Sequence, residues 1–197
     1  MNDSKMGGAM VARCLLVIVA LAASVAGARA AEPALDGVKS IVLHTVDGKA
    51  IVIGRVTFTP EGDHARFKIA FDDKAFAPYF LSMREFKCVE GAEILCHVPY
   101  PYPNPQIVSA SDLSWLEHAL LFLYKRPRDY VAKLSQGLIY KLAVTPEGLV
   151  GTPQSIDLDE IAVPPDNLAA PYYSAETRVA IEPGTRWFER LTIETRR

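Results

Sequence analysis

The sequence lacks the short motifs by which many enzymes are recognised. Beyond residue 30 it contains no G-x-G-x-x-G, no phosphate-binding loop, no G-x-S-x-G, no C-x-x-C and no H-E-x-x-H. Histidine and cysteine are also scarce, with 4 and 3 copies in 197 residues. These absences argue against the common nucleotide-binding, serine-hydrolase, thiol-redox and zinc-peptidase classes, and the sequence predicts no cofactor.

Excess positive charge and long apolar runs are lacking as well. The formal net charge is −2 for the whole chain and about −4 without residues 1–30, which carry three basic side chains and one acidic one. That balance predicts no nucleic-acid binding and leaves no basic face for anionic lipid. After residue 30, no apolar run approaches the roughly 20 residues that a membrane-spanning helix requires.

The N-terminus has the order of residues that is typical of a secretion signal. Lys5 and Arg13 precede an uncharged apolar run, residues 14–27 (CLLVIVALAASVAG), and an A-x-A cleavage site follows at residues 28–30. A buried N-terminal helix is the alternative, but it would not explain the basic flank. We therefore expect cleavage after residue 30, leaving residues 31–197 as a single β-rich domain in the periplasm or outside the cell.

Two cysteines remain after this cleavage, and in an oxidising compartment such a pair predicts a disulfide. A hairpin turn centred on Ala92 would bring the two sulfur atoms together. The predicted register places Val89 opposite Leu95, Cys88 opposite Cys96 and Phe86 opposite Val98. A shift of one residue would send the two sulfur atoms to opposite faces, so the bond and the register are predicted together.

Short runs of alternating apolar and polar residues predict antiparallel strands. The clearest hairpin spans residues 40–57, where Asp47-Gly48 suits a two-residue turn and pairs Leu43 with Val52 and Ile41 with Gly54. Further strands are predicted at residues 65–71, 84–90, 94–98, 138–145, 149–158, 178–182 and 190–194. These hairpins predict a mainly β (α+β) fold, a curled antiparallel meander or barrel-like sheet with one inserted helix.

The inserted helix is predicted over Asp112–Lys125. Its apolar side chains fill an arc of about 180°, while His118 lies on the opposite, polar face. Leu121 falls in the polar sector, which suggests that a second layer covers that side.

Tyrosines are concentrated in two proline-rich stretches. Tyr100 and Tyr102 lie in residues 99–105 (PYPYPNP), and Tyr172 and Tyr173 lie in residues 163–174 (VPPDNLAAPYYS). Rigid loops that present aromatic faces bind sugars or lipid-like groups with little loss of entropy. These four tyrosines are therefore the predicted ligand-binding residues, and we expect them around one cavity opening. The alternative is that the rings cap an open end of the sheet with their hydroxyl groups in water.

A metal site is one further possibility. Soft ligands for a metal are present as Cys88, Cys96, His97, His44 and Met83, but neighbouring strand residues point to opposite faces, so no metal site is predicted.

Asp157, Asp159 and Glu160 form an acidic group that would suit a hydrolase, because two close carboxylates raise the pKa of one of them. They also follow Pro153 near a predicted sheet edge, where charges discourage edge pairing. No catalytic residue is assigned.

The stretch from Phe80 to Tyr102 (FLSMREFKCVEGAEILCHVPYPY) resembles segments of exported proteobacterial proteins of unknown function. The resemblance covers about a tenth of the chain. It implies a periplasmic location and supplies neither an activity nor a site residue.

The sequence thus favours a non-catalytic periplasmic domain that binds a small apolar or saccharide ligand, or an envelope partner, through its tyrosine-bearing loops. Two alternatives stay open. A small envelope hydrolase would require convergent buried carboxylates among Asp157, Asp159 and Glu160, and a purely structural interaction protein would show an exposed apolar patch near Leu121.

Overall fold

The computed structural model describes residues 34–81, 84–127, 129 and 135–195. The predicted secretion signal and Met83 lie outside the described residues. The strands are β1 (Gly37–Thr45), β2 (Ala50–Glu61), β3 (His64–Phe71), β4 (Ala77–Leu81), β5 (Arg84–Val89), β6 (Ile94–Val98), β7 (Ile107–Val108), β8 (Leu121–Lys125), β9 (Gln136–Thr145), β10 (Gly148–Asp157), β11 (Val179–Ala180) and β12 (Phe188–Glu194). The helix α1 spans Ser114–Ala119, and 3-10 helices span Asp73–Ala75, Glu160–Ala162 and Ala175–Thr177.

All of these strands belong to one antiparallel sheet. Its order is β4-β5-β6-β8-β9-β10-β12-β1-β2-β3-β7, with β11 alongside β10. The sheet is curled but unclosed, because β4 and β7 remain as its two edges. The predicted fold class, a mainly β chain with a curled antiparallel sheet and one helix, is confirmed.

The concave face of the sheet encloses the main core. Phe67 of β3, Leu95 of β6 and Ile193 of β12 belong to one buried cluster although their strands are far apart in the sheet order. The sheet must therefore curl around them. Helix α1 adds Trp115 and Leu116 to the same cluster.

A second core lies on the opposite face of the strands from β5 to β10. Leu121, Leu123 and Ile139 are buried there, beside Leu158 and Ile161 from the segment that follows β10. This part of the sheet is therefore covered on both faces, as the position of Leu121 suggested.

The predicted helix over Asp112–Lys125 is wrong in its second half. Helix α1 ends at Ala119, and the strand β8 begins at Leu121. Within β8, Leu121 and Leu123 face the second core, whereas Phe122 faces the main core, and all three are fully buried. A strand buried on both faces is a continuous apolar run, which periodicity alone does not distinguish from a buried helix.

The first hairpin has a longer turn than the one predicted. Gly48 N–H donates to the carbonyl of Thr45, and Thr45 N–H donates to the carbonyl of Lys49, so three residues form the turn. Gly48 has a φ of 81°, whereas Asp47 lacks the positive φ that a two-residue type I′ turn requires. The extra residue shifts the register near the turn.

A β-bulge between Ile41 and Val42 then restores the predicted register. Leu43 pairs with Ile51 rather than with Val52, but Ile41 pairs with Gly54 as predicted.

The predicted disulfide between Cys88 and Cys96 is present. The two residues pair directly across β5 and β6, with their Cα atoms 3.9 Å apart, and Val89 pairs with Leu95. The pairs that form follow the predicted register, but the ladder between β5 and β6 ends before Phe86 and Val98.

Candidate ligand-binding site

Helix α1 lies beside β9, where the edge of that strand is no longer paired with β8. The β8–β9 ladder consists of Phe122 with Leu138 and Leu123 with Gly137. Further along β9, the N–H of Leu142 donates instead to Glu117 Oε1 of α1, at 2.8 Å. A helix side chain thus satisfies a strand group that would otherwise be buried without a partner.

Glu117 also forms a buried ion pair with Arg178. The side chains of Glu117 and Arg178 are 7% and 8% exposed. Arg178 Nε and Nη2 both donate to the carbonyl of Tyr173, at 3.1 and 3.0 Å. The ion pair therefore attaches the loop of residues 170–178 to α1.

His118, the next residue of α1, holds the same loop from a different direction. Its Nδ1 donates to the carbonyl of Ser114 at 2.7 Å, and its Nε2 accepts a hydrogen bond from the N–H of Tyr173 at 2.9 Å. Because a carbonyl only accepts and a backbone N–H only donates, the proton of the neutral ring is on Nδ1. Burial lowers the pKa of His118 to about 4. The predicted placement of His118 on the polar face is wrong, since its side chain is fully buried.

We refer to Glu117, His118 and Arg178 as the loop clamp. Beside the loop clamp lies a cavity of about 580 Å³, bounded by α1, the strands β9 and β10, and residues 170–178. Its lining consists of Ala110, Ser111, Asp112, Leu113, Ser114, Glu117, Lys141, Leu142, Ala143, Gln154, Ala170, Pro171, Tyr173, Ser174, Ala175 and Arg178. The volume falls within the roughly 300–1,000 Å³ of sites that bind small molecules.

The charges around the cavity are balanced. Asp112 and Lys141 are exposed, and Glu117 and Arg178 are buried and paired. Asp112 Oδ1 accepts hydrogen bonds from the N–H and the hydroxyl group of Ser114. The lining therefore contains two acidic and two basic side chains.

Gln154 stands out among the lining residues. It lies on β10 opposite Ile139, and its amide oxygen is buried without a hydrogen-bond partner. A buried polar atom in this condition destabilises the protein unless something else binds to it.

The structure brings all four predicted tyrosines together. The ring centroids of Tyr100 and Tyr102 are 5.7 Å apart, those of Tyr102 and Tyr172 are 6.4 Å apart, and those of Tyr172 and Tyr173 are 5.1 Å apart. Tyr173 lines the cavity, whereas the other three lie in the adjoining aromatic cluster. The expected proximity is therefore observed, but only one of the four rings borders the cavity.

The tyrosine hydroxyl groups have internal partners. Tyr102 donates to the carbonyl of Ile161 at 2.6 Å, Tyr172 to that of Glu160 at 2.5 Å, and Tyr173 to that of Asp157 at 2.8 Å. These bonds hold the rings against the second core, and each of these three hydroxyl groups has a backbone carbonyl as its partner. The bond from Tyr172 lies in an exposed position, so the capping alternative stays open for that ring.

Comparisons of the chain with models of protein families, with curated proteins and with solved structures give no match.

The acidic group considered for hydrolysis does not converge on a buried position. Asp157, Asp159 and Glu160 are all exposed, and Asp157 Oδ1 accepts a hydrogen bond from the N–H of Asp159 at 2.9 Å. That bond is typical of a turn after a strand.

The possible metal ligands are also dispersed. Cys88 and Cys96 are joined in the disulfide, and His97 contacts the carbonyl of Ala119. Over residues 34–81, 84–127, 129 and 135–195, no group of three His, Cys, Asp or Glu side chains is arranged to hold a metal ion. Within the same ranges, no helix has the length and apolarity to cross a membrane.

Sequence reasoning missed most of the cavity. Glu117 and Arg178 are 61 positions apart, and Gln154 and Lys141 lie on neighbouring strands, so no local motif contains them. The available signal was Glu117-His118, two adjacent polar residues inside an otherwise apolar helix pattern.

Proposed function

We propose that this protein is a non-catalytic binding domain of the periplasm or extracellular space, and that it holds a small ligand in the cavity beside the loop clamp. The observation that carries this proposal is that the loop clamp holds residues 170–178 above a cavity. An ion pair and a histidine are costly to bury, because each loses its hydration. Their use in fixing this loop is consistent with a site whose shape is set before the ligand arrives.

The location is proposed from the disulfide together with the N-terminal pattern. Disulfides persist in oxidising compartments and are rare in the cytosol. The Cys88–Cys96 bond therefore supports export, as does the order of basic, apolar and small residues before residue 31.

The experiment is native mass spectrometry of protein recovered from the periplasm without denaturant. We expect a retained small molecule, seen as a discrete mass above that of the polypeptide. The variant Ala143→Phe adds a large side chain to the cavity lining and is expected to lose this mass. Ala70→Phe is the matched control, because Ala70 is an exposed residue of β3 outside the cavity lining.

If the extra mass persists in Ala143→Phe, the ligand binds elsewhere and the proposed site is wrong. A protein that carries no small molecule and instead copurifies with an envelope protein would contradict the proposal in favour of an interaction role.

A further inference from the structure

The section of β9 that borders the cavity has a free edge. The N–H of Leu142 donates to Glu117, so the backbone groups of Leu142 face α1 rather than β10. These directions alternate along a strand and the ladder with β10 is regular, so the backbone groups of Val144 face the same side. Among the residues that the structure describes, nothing hydrogen-bonds to the Val144 N–H or to the carbonyls of Leu142 and Val144. A free edge of this kind can pair with another strand.

Two exposed side chains of opposite charge line the same cavity. Lys141 precedes Leu142 on β9, and Asp112 lies just before α1. Asp112 accepts hydrogen bonds from Ser114 through Oδ1 alone. Within the described part of the chain, neither Asp112 nor Lys141 forms an ion pair. One free anion and one free cation complement a ligand that carries both charges.

The register places these two charges at opposite ends of the free edge. β3 begins at the end of the sheet where β9 ends, because the strands between them alternate in direction. Val108 pairs with β3 at that end, Glu117 reaches Leu142, and Phe122 pairs with Leu138. The chain from β7 to β8 therefore runs back along β9, and Asp112 lies beyond Leu142, beside the last residues of β9. Lys141 lies on the other side of Leu142.

On the basis of the proposed function, we propose that the ligand is a short peptide with free ends, which binds as an added antiparallel strand on the free edge of β9. Its backbone forms a hydrogen bond with each free group of Leu142 and Val144. Its α-ammonium group meets Asp112, and its α-carboxylate meets Lys141. At roughly 3.3 Å per residue, about three or four residues match the stretch from Lys141 to Val144.

The charges also fix the direction of the added strand. An antiparallel peptide has its amino end beside the end of β9, where Asp112 lies, and its carboxyl end beside Lys141. A parallel peptide would bring each of its ends to a like charge, which disfavours that orientation. Main-chain pairing recognises a peptide backbone and tolerates different side chains.

The test uses defined peptides and the ¹⁵N-labelled protein. The probes are trialanine, trivaline and triserine with free ends, and the same peptides with the amino end acetylated, the carboxyl end amidated, or both. Alanine serves as a zwitterion without a strand backbone, and maltotriose serves as a neutral ligand that is not a peptide. Amide shifts locate binding, and calorimetric titration gives the dissociation constants.

We expect the free tripeptides to bind most tightly and to shift the amides of residues 110–114 and 141–145. Lys141→Met should weaken their binding about twofold to fivefold, as for one exposed ion pair, and should leave the affinity of the amidated peptides unchanged. Asp112→Asn should do the same for the amino end, with no effect on the acetylated peptides. The matched controls are Lys68→Met and Asp166→Asn, since both residues are exposed and outside the cavity lining. All four variants should melt at the temperature of the wild type.

Strand pairing has two direct measurements. Saturating peptide should slow hydrogen exchange of the Val144 amide about tenfold or more, because this N–H then donates to a peptide carbonyl. The amide of Leu142, which already donates to Glu117, should change less. Methylation of one internal amide of the tripeptide should weaken binding about twofold to tenfold more than methylation of the other, since only alternate amides of a strand face its neighbour.

The other outcomes each contradict a specific step. Equal effects of the two methylations, or an unchanged Val144 exchange rate, would overturn the strand pairing. Equal losses for free and capped peptides in Lys141→Met and Asp112→Asn would overturn the roles of the two charges. Shifts of the cavity amides by maltotriose alone would overturn the peptide assignment and leave the proposed function intact. If no peptide shifts these amides, the assignment fails, and the retained mass in native mass spectrometry then decides the proposed function separately.

Discussion

Acid should destabilise this protein through one buried histidine, His118. Its pKa is about 4 in the folded protein, against an ordinary value of 6.5 for histidine, because burial disfavours the charged ring. As the pH falls, the unfolded chain therefore binds the proton first. The contribution of His118 to stability is complete above about pH 6.5, decreases as the pH falls towards 4, and is constant below 4.

These two pKa values set the expected loss. A difference of 2.5 pKa units corresponds to about 3 kcal/mol at the limit, of which about 2 kcal/mol falls between pH 7 and pH 4.5. Burial also lowers the pKa of His97 and His44, so the wild type alone does not isolate His118. The variant His118→Gln isolates the contribution of His118, because glutamine retains a hydrogen-bond donor and an acceptor but does not titrate.

The assay is urea unfolding of the wild type and of His118→Gln at half-unit intervals from pH 7 to pH 4.5. The free energy of unfolding of the variant should depend less on pH, with the difference between the two curves changing by about 2 kcal/mol. His64→Gln serves as the surface control. A hydrogen bond to Asp63 raises the pKa of His64, so its removal should not reduce acid sensitivity. Parallel curves for the wild type and His118→Gln would refute the reasoning.

Three further predictions concern the disulfide, the loop clamp and the N-terminus. Replacing Cys88 and Cys96 with alanine should lower the free energy of unfolding by roughly 2–3 kcal/mol in the chain-entropy model, measured by urea titration, while thiol titration of the unreduced wild type should find no free thiol. Glu117→Ala leaves the Arg178 guanidinium buried without its carboxylate and should lower the free energy of unfolding by about 3–5 kcal/mol, whereas replacing both residues with methionine should recover much of that loss. A decrease below about 1 kcal/mol for Glu117→Ala would contradict a buried ion pair. N-terminal sequencing of the exported protein should begin at Ala31, and an intact Met1 on folded protein would exclude cleavage.

Local patterns predicted the strands better than they predicted the elements that depend on distant partners. The alternation around Cys88 and Cys96 was sufficient for their register, because a one-residue shift would have separated the sulfur atoms. The run that forms β8 has the pattern of a buried helix, and the second core that buries Leu121 is built by residues far along the chain. Burial on two faces erases the periodicity on which such predictions depend.

In the site, too, the features set by neighbouring residues could be predicted from the sequence, whereas those set by distant residues could not. The proline-rich sequences around Tyr102 and Tyr172 indicated rigid aromatic loops, and the two rings do come together. The cavity itself depends on Gln154, Lys141 and the loop clamp, which belong to separate elements. Only the three-dimensional pairing of β9 with β10 and the docking of α1 place them around one space.

The position of β12 has a consequence for when the chain completes its fold. β12 lies between β10 and β1 and pairs with both. Without it, the sheet order separates into one part, β4-β5-β6-β8-β9-β10, and a second part, β1-β2-β3-β7. Residues 188–194 must therefore leave the ribosome before the two parts join across the main core. Pairings over such long sequence separations form slowly. This late step delays the finished sheet until the last strand is available, as the export predicted from the N-terminal sequence would require.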